Sequence, residues 1–221
     1  MSWKLTNAIT EQLRRERGFS FRQGGGRIGL LYPSPYRVGM SSLGFQWVHK
    51  LLSDAGFAVE RSFLPDDVDE WRRSKTPLLA WETLTPLSHF PVIGISLAYE
   101  LELAGLIEAL EMAGIPPLRK DRTEEHPRII LGGPITFSNP LPAAPFVDAM
   151  IIGEAEAALV PLFEAALTEE RGEFLKIAKS LPGGFVPELD GALVPDTAQA
   201  EDSILPANSH IITPDTELSN M

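Results

Sequence analysis

The stretch from Pro127 to Glu156, PRIILGGPITFSNPLPAAPFVDAMIIGEAE, constrains the fold more than any other part of the chain. It holds two short apolar runs, Arg128 to Leu131 and Val147 to Ile152, with no polar alternation. Runs of that length and character suit strands covered on both faces, as in a parallel sheet. Each stops at glycine, first Gly132-Gly133 and then Gly153, so the backbone can turn sharply at the carboxyl ends of the strands. Ligands of open α/β sheets bind at that edge.

The remaining elements fall around this pair. Arg27 to Tyr32, Phe57 to Phe63 and Val92 to Leu97 have strand character. Ser41 to Gly56, with a serine pair for an N-cap and a closing glycine, has the marks of a helix, as do Leu101 to Gly114 and Ala155 to Glu170. Alternating strands and helices predict a doubly wound α/β fold, Rossmann-like or flavodoxin-like, with about five parallel strands. Before it, residues 1–26 comprise an amphipathic helix, with Trp3, Ile9 and Leu13 on one side, and a Gly24-Gly25-Gly26 hinge. The α/β body spans 27–180, interrupted by a polar, tryptophan-containing insertion between Asp66 and Phe90. In 181–221, GGFVPELDGALVP predicts a β-hairpin bending at Asp190-Gly191, followed by an acidic linker.

Composition narrows the function. The net charge is −11, and the stretch after Lys179 carries seven acidic residues and no Lys or Arg, which argues against a nucleic-acid partner. No run of eighteen apolar residues and no secretion signal are present, so a cytoplasmic protein with no membrane role is expected. The chain has no cysteine, which excludes disulfides, thiol catalysis and thiolate-bound zinc or iron–sulfur centres within it.

Three loops converge on the carboxyl edge: Pro33 to Ser42, Ser96 to Glu100 and Gly132 to Pro145. The first, PSPYRVGMSS, has neither G-x-G-x-x-G nor the Gly-Lys-Ser/Thr of a phosphate loop. Glu154 and Glu156 put negative charge where a helix start would otherwise attract an anion, and they fit a helix-end charge better than a catalytic dyad. His49, His89, His126 and His210 share no metal-ligand spacing. His49 falls on the polar side of its helix beside Lys50, and His89 at the amino end of the third strand, away from the site. Ser41 and Ser42 suit helix caps rather than nucleophiles. No catalytic residue and no metal ligand is therefore expected in the chain.

The segments YPSPYRVGMSSLGFQWVHKLL, LGGPITFSNPLPAAPFVDAMIIGEAE and ANSHIITPDTELSNM, in this order, resemble the N-terminal part of radical S-adenosylmethionine (SAM) proteins that carry a cobalamin-binding-type domain. Domains of that type have D-x-H-x-x-G after the first strand, S-x-L after the third and G-G after the fourth. The resemblance places Ser34, Tyr36 and Gly39 at the first motif, Ser96 at the second and Gly132 with Gly133 at the third, and makes these six the candidate cofactor-binding residues. Asp is replaced by Ser34 and His by Tyr36, so a bound cobalamin would be base-off with no histidine on cobalt from this loop. Tyr36 would shield that face or pack against the core. The resemblance further implies a fragment that ends before a cysteine-containing barrel, which would be its partner and would itself hold S-adenosylmethionine and a [4Fe-4S] cluster. Two other readings stay open: the same fold as a cofactor-free docking module, and a flavodoxin-like module for a flavin or nucleotide.

Overall fold

The structure is a computed structural model that describes residues 2–19, 21, 23–201 and 206–216. Along the chain, helix α1 (Trp3–Leu13) precedes β1 (Arg27–Tyr32), the single turn α2 (Tyr36–Gly39), α3 (Leu43–Asp54), β2 (Ala58–Phe63) and α4 (Val68–Arg73). Then come β3 (Val92–Ser96), α5 (Glu102–Ala113), β4 (Arg128–Gly132), the turn α6 (Ile135–Ser138) and β5 (Ala149–Ile151). The described chain continues with α7 (Glu156–Thr168), α8 (Arg171–Ser180), β6 (Gly184–Phe185) and the turn α9 (Pro187–Asp190).

The strands form one sheet in the order β2-β1-β3-β4-β5-β6, parallel from β2 through β5. Five parallel strands are those expected from the apolar runs. Order reverses between β1 and β3, which puts the switch point beside the loops that follow those two strands. Alternate residues of each strand feed two cores. Ile28, Leu30, Ile130 and Ile151 meet Leu52 of α3, Phe163 of α7 and Phe174 of α8 on one face. Leu31, Ile93, Ile95 and Leu131 meet Leu106 and Leu110 of α5 on the other. Both faces being covered is the reason β1, β3, β4 and β5 show no polar alternation.

Four expectations need correction. The hairpin expected over 183–195 is one strand, β6, added antiparallel to β5 through Met150↔Phe185 and Ile151↔Gly184, followed by the turn α9. Pro187 cannot donate to a ladder but suits a first helical position, and Asp190 Oδ2 accepts from the Val186 amide at 2.8 Å, closing a turn where a bend was expected. The insertion between Asp66 and Phe90 is not a polar excursion, because Leu78, Leu79, Ala80, Trp81, Leu87 and Phe90 are all buried. It sheathes the edge strand β2: the Ser62 hydroxyl donates to Leu79 O at 3.0 Å and the Trp81 amide to Arg61 O at 2.7 Å. On α1 the buried side chains are Leu5 and Ile9, while Trp3 is 78% exposed.

His49, the fourth, is fully buried. The covered face of α3 runs through Phe45, His49 and Leu52, at helical spacing, and the segment 206–216 lies over it. His210 of that segment faces His49, Nε2 to Nδ1 at 3.2 Å, and stacks on Phe19. Arg17 and Ile212 exchange two backbone hydrogen bonds, so the N-terminal and C-terminal extensions are laced together beside α3. The last five residues of ANSHIITPDTELSNM, 217–221, lie outside the described residues. Of the triple glycine, Gly25 has φ +57° and would bring a Cβ to 2.2 Å from Gly56 O, so the backbone there is tightly packed.

Candidate ligand groove at the carboxyl edge

A cavity of about 210 Å³ opens between α3 and α7 on one face of the sheet. Its floor is Leu30, Gly94, Ile130 and Ile151, its walls Trp47, Leu51, Leu159 and Phe163, and its mouth Ser42, Ser96, Gly132, Gly133 and Phe137. Glycine at position 94 is required by the wall, since a Cβ there would sit 2.8 Å from the Phe163 ring. The two helices are linked at the mouth by a hydrogen bond in which Trp47 Nε1–H donates to Glu156 Oε1 at 3.0 Å. A concave, mostly apolar slot with a few polar groups at its rim is the usual form of a small-molecule site.

Three of the six residues picked from the sequence, Ser96, Gly132 and Gly133, line this cavity. They differ in kind. Gly132 faces open space, with nothing within 4 Å of an added Cβ. Gly133 has φ +106°, and an added Cβ would lie 2.6 Å from Leu97 O, so this glycine serves the turn itself. The hydroxyl of Ser96 makes no hydrogen bond among the described residues and is free to meet a guest.

The other three, Ser34, Tyr36 and Gly39, do not reach the cavity. Tyr36 is 4% exposed, stacks on Trp81 at 4.6 Å and donates its hydroxyl to Glu16 Oε1 at 2.5 Å. Burial, followed by the neighbouring Glu16 carboxylate, pushes its ionisation up. Gly39 lets the turn α2 lie on Phe63, 2.5 Å from where a Cβ would stand. Ser34 Oγ donates to Glu102 Oε1 at 3.4 Å. Beneath Tyr36, Arg61 is buried between Glu16 at 2.7 Å and Glu82 at 2.7 Å. Burial opposes the Arg61 charge, and Glu82 and Glu16 more than restore it. Sequence reasoning missed this triad, because Arg61 looks like a solvent-facing strand residue until the sheath over β2 is seen.

The remaining charged candidates have structural partners. Ser42 caps α3 by accepting from the Phe45 amide at 3.3 Å. Glu154 accepts from the Ala200 amide at 2.6 Å, and Glu156 opens α7 while holding Trp47. His89 lies in the turn before β3, at the amino edge. His126 lines a polar cavity of about 220 Å³ at that edge, where Arg122 and Arg171 are paired with Asp148, each at 3.3 Å. Burial pushes both His49 and His210 below the usual histidine range. Among the described residues no three His, Asp or Glu side chains are grouped to hold a metal, and no helix is long and apolar enough to cross a membrane.

Comparison with known proteins places this fold. The sequence pattern described as "Radical SAM proteins, N-terminal" matches residues 44–187. The chain belongs to this family of radical SAM N-terminal domains. The matched region runs from the first residues of α3 to the start of α9 and so contains every wall of the groove. No curated protein matches the chain. Among solved structures the domain is similar to a radical S-adenosylmethionine methyltransferase, TsrM, from Kitasatospora setae, determined with tryptophan substrate and a SAM analogue. That likeness has a TM-score of 0.40 at 14% identity and covers 64% of this chain and 26% of the methyltransferase, so the aligned part is about a quarter of that enzyme.

Proposed function

We propose that this domain serves a radical SAM enzyme as an accessory module, and that its groove receives the nucleotide tail of a base-off cobalamin. The observation that carries the reading is the groove itself: an apolar slot at the carboxyl edge, entered past Ser96 and the open face of Gly132. A cavity of about 210 Å³ suits a flat heteroaromatic group and is too small for a whole macrocycle, which would rest on the rim. The rim is apolar and exposed at Tyr99 (47%), Leu101 (82%) and Phe137 (58%), and exposed apolar surface of this kind marks a face that another body covers. Ser96 would hydrogen-bond the tail, and Trp47 with Glu156 would close over it. The first loop offers cobalt no histidine, since the corresponding position is the core residue Tyr36. A bound cobalamin would supply a metal centre able to accept and pass on an alkyl group. The partner across the rim is the radical SAM barrel of the same polypeptide.

A second reading is favoured by the first loop, whose Tyr36 and Gly39 are spent on core packing: the same edge docks the barrel with no cofactor between them. A flavin mononucleotide fits less well, because its terminal phosphate monoester would bring up to two negative charges against Glu154 and Glu156, where the phosphodiester of a cobalamin tail brings one. The test is to mix the 221-residue chain with hydroxocobalamin, desalt it and record the visible spectrum, with flavin mononucleotide in parallel. Retained corrinoid absorbance is the expected result. Its absence leaves the docking reading, and retained flavin overturns both.

A further inference from the structure

We propose that Glu102 is the positioning residue of the carboxyl-edge site, holding the loops after β1, β3 and β4 together so that the groove mouth is preset for its ligand. This rests on the reading of the groove as the ligand site. Glu102 is only 4% exposed, at the first position of α5, where a negative charge is favoured by the helix dipole. Its Oε2 accepts from the Ala98 amide at 2.6 Å, and its Oε1 from Ser34 Oγ at 3.4 Å. It also adjoins the Tyr32 hydroxyl at the end of β1, whose ionisation burial and then Glu102 push up. Among the described residues no Lys or Arg pairs with it, so its partners are loop groups.

The partners belong to two loops of the carboxyl edge. Ser34 and Tyr32 fix the loop after β1, and Ala98 fixes the loop after β3. From there the tie continues: the Leu97 amide donates to Gly132 O at 3.0 Å, and the Ile135 amide to Leu97 O at 3.2 Å. Ser96, at the mouth, is the residue just before this knot. Removing the carboxylate would free the Ala98 amide and loosen the loop that leads away from Ser96. Glutamine keeps a carbonyl oxygen for Ala98 and is a conservative rescue.

The experiment compares Glu102→Ala, Glu102→Gln and Ser34→Ala in the 221-residue chain, by amide hydrogen exchange over 96–99 without ligand and by hydroxocobalamin titration. Loss of a hydrogen bond to a charged acceptor predicts about tenfold faster exchange at Ala98 and about tenfold weaker hydroxocobalamin binding in Glu102→Ala, with glutamine restoring most of both. Ser34→Ala, which cuts only the first-loop link, is expected to weaken binding about threefold and leave Ala98 protected. Unchanged exchange at Ala98 in Glu102→Ala overturns the proposal, as does faster exchange with binding at the wild-type level. If Glu102→Ala fails to fold, full-strength binding by Ser34→Ala overturns it instead. A wild-type chain that retains no hydroxocobalamin sinks the ligand reading and with it the preset mouth, whatever the exchange shows of the loops.

Discussion

The loops after β1 and β4 leave the same edge of one sheet and both carry glycine, yet they end in opposite environments. Around β4 the glycine at 132 faces open space and the Ser96 hydroxyl stands free beside it. After β1 the corresponding residues sink: Tyr36 packs on Trp81, Gly39 on Phe63, and the loop is bolted down through Glu16, Arg61 and Glu82. A motif position therefore says which backbone can turn at the edge, while the covering segments decide whether its side chain meets ligand or core. One half of the edge is a prepared surface and the other half is its foundation.

The sharpest way to break that contrast is to attack the foundation. Arg61→Ala strands two buried carboxylates and should cost about 3–5 kcal/mol, seen as a lower urea midpoint in equilibrium unfolding. A loss below about 1 kcal/mol would mean the triad is solvated and the first loop is free to act as a binding loop. Next in size is the glycine pair. Gly133→Ala forces a side chain into a left-handed conformation against Leu97 O and should lose about 1–3 kcal/mol, whereas Gly132→Ala should change stability by less than about 0.5 kcal/mol. Equal effects at the two sites would erase the distinction between turn and open face.

A smaller effect tests the lacing of the extensions over α3. His49 is buried beside His210 and Arg61, and its proton affinity is lowered in the fold. Below pH about 6.5 the unfolded chain takes up a proton that folded His49 refuses, so stability is complete above that pH and falls as the pH drops, by up to about 1.4 kcal/mol per unit. Urea unfolding at pH 7.5 and 5.5 checks this, and His49→Phe should flatten the dependence.

The continuous apolar runs made four of the five parallel strands and their carboxyl edge legible, because burial on both faces leaves its mark directly in sequence. Gly132 stands where such a run stops, and Ser96 was reached through the resemblance to cobalamin-binding-type domains. What stayed hidden depends on segments distant in the chain. Arg61 and His49 are polar residues whose burial is imposed by the insertion over β2 and by residues 206–216, and no local pattern announces either cover. Glu102 was passed over as a helix residue, although a carboxylate at the first turn of α5, four residues after Ala98, was a signal within reach. The hairpin was misread because a strand–turn–strand pattern was trusted across Pro187, which favours a helical start.

The central claim, that ligand enters past Gly132 and that Tyr36 belongs to the core, is tested most directly by visible spectra after desalting from hydroxocobalamin. Gly132→Leu, whose side chain would fill the mouth, should abolish retention, and Tyr36→Phe should keep it. Retention by Gly132→Leu together with loss in Tyr36→Phe would contradict the account and move the site to the first loop.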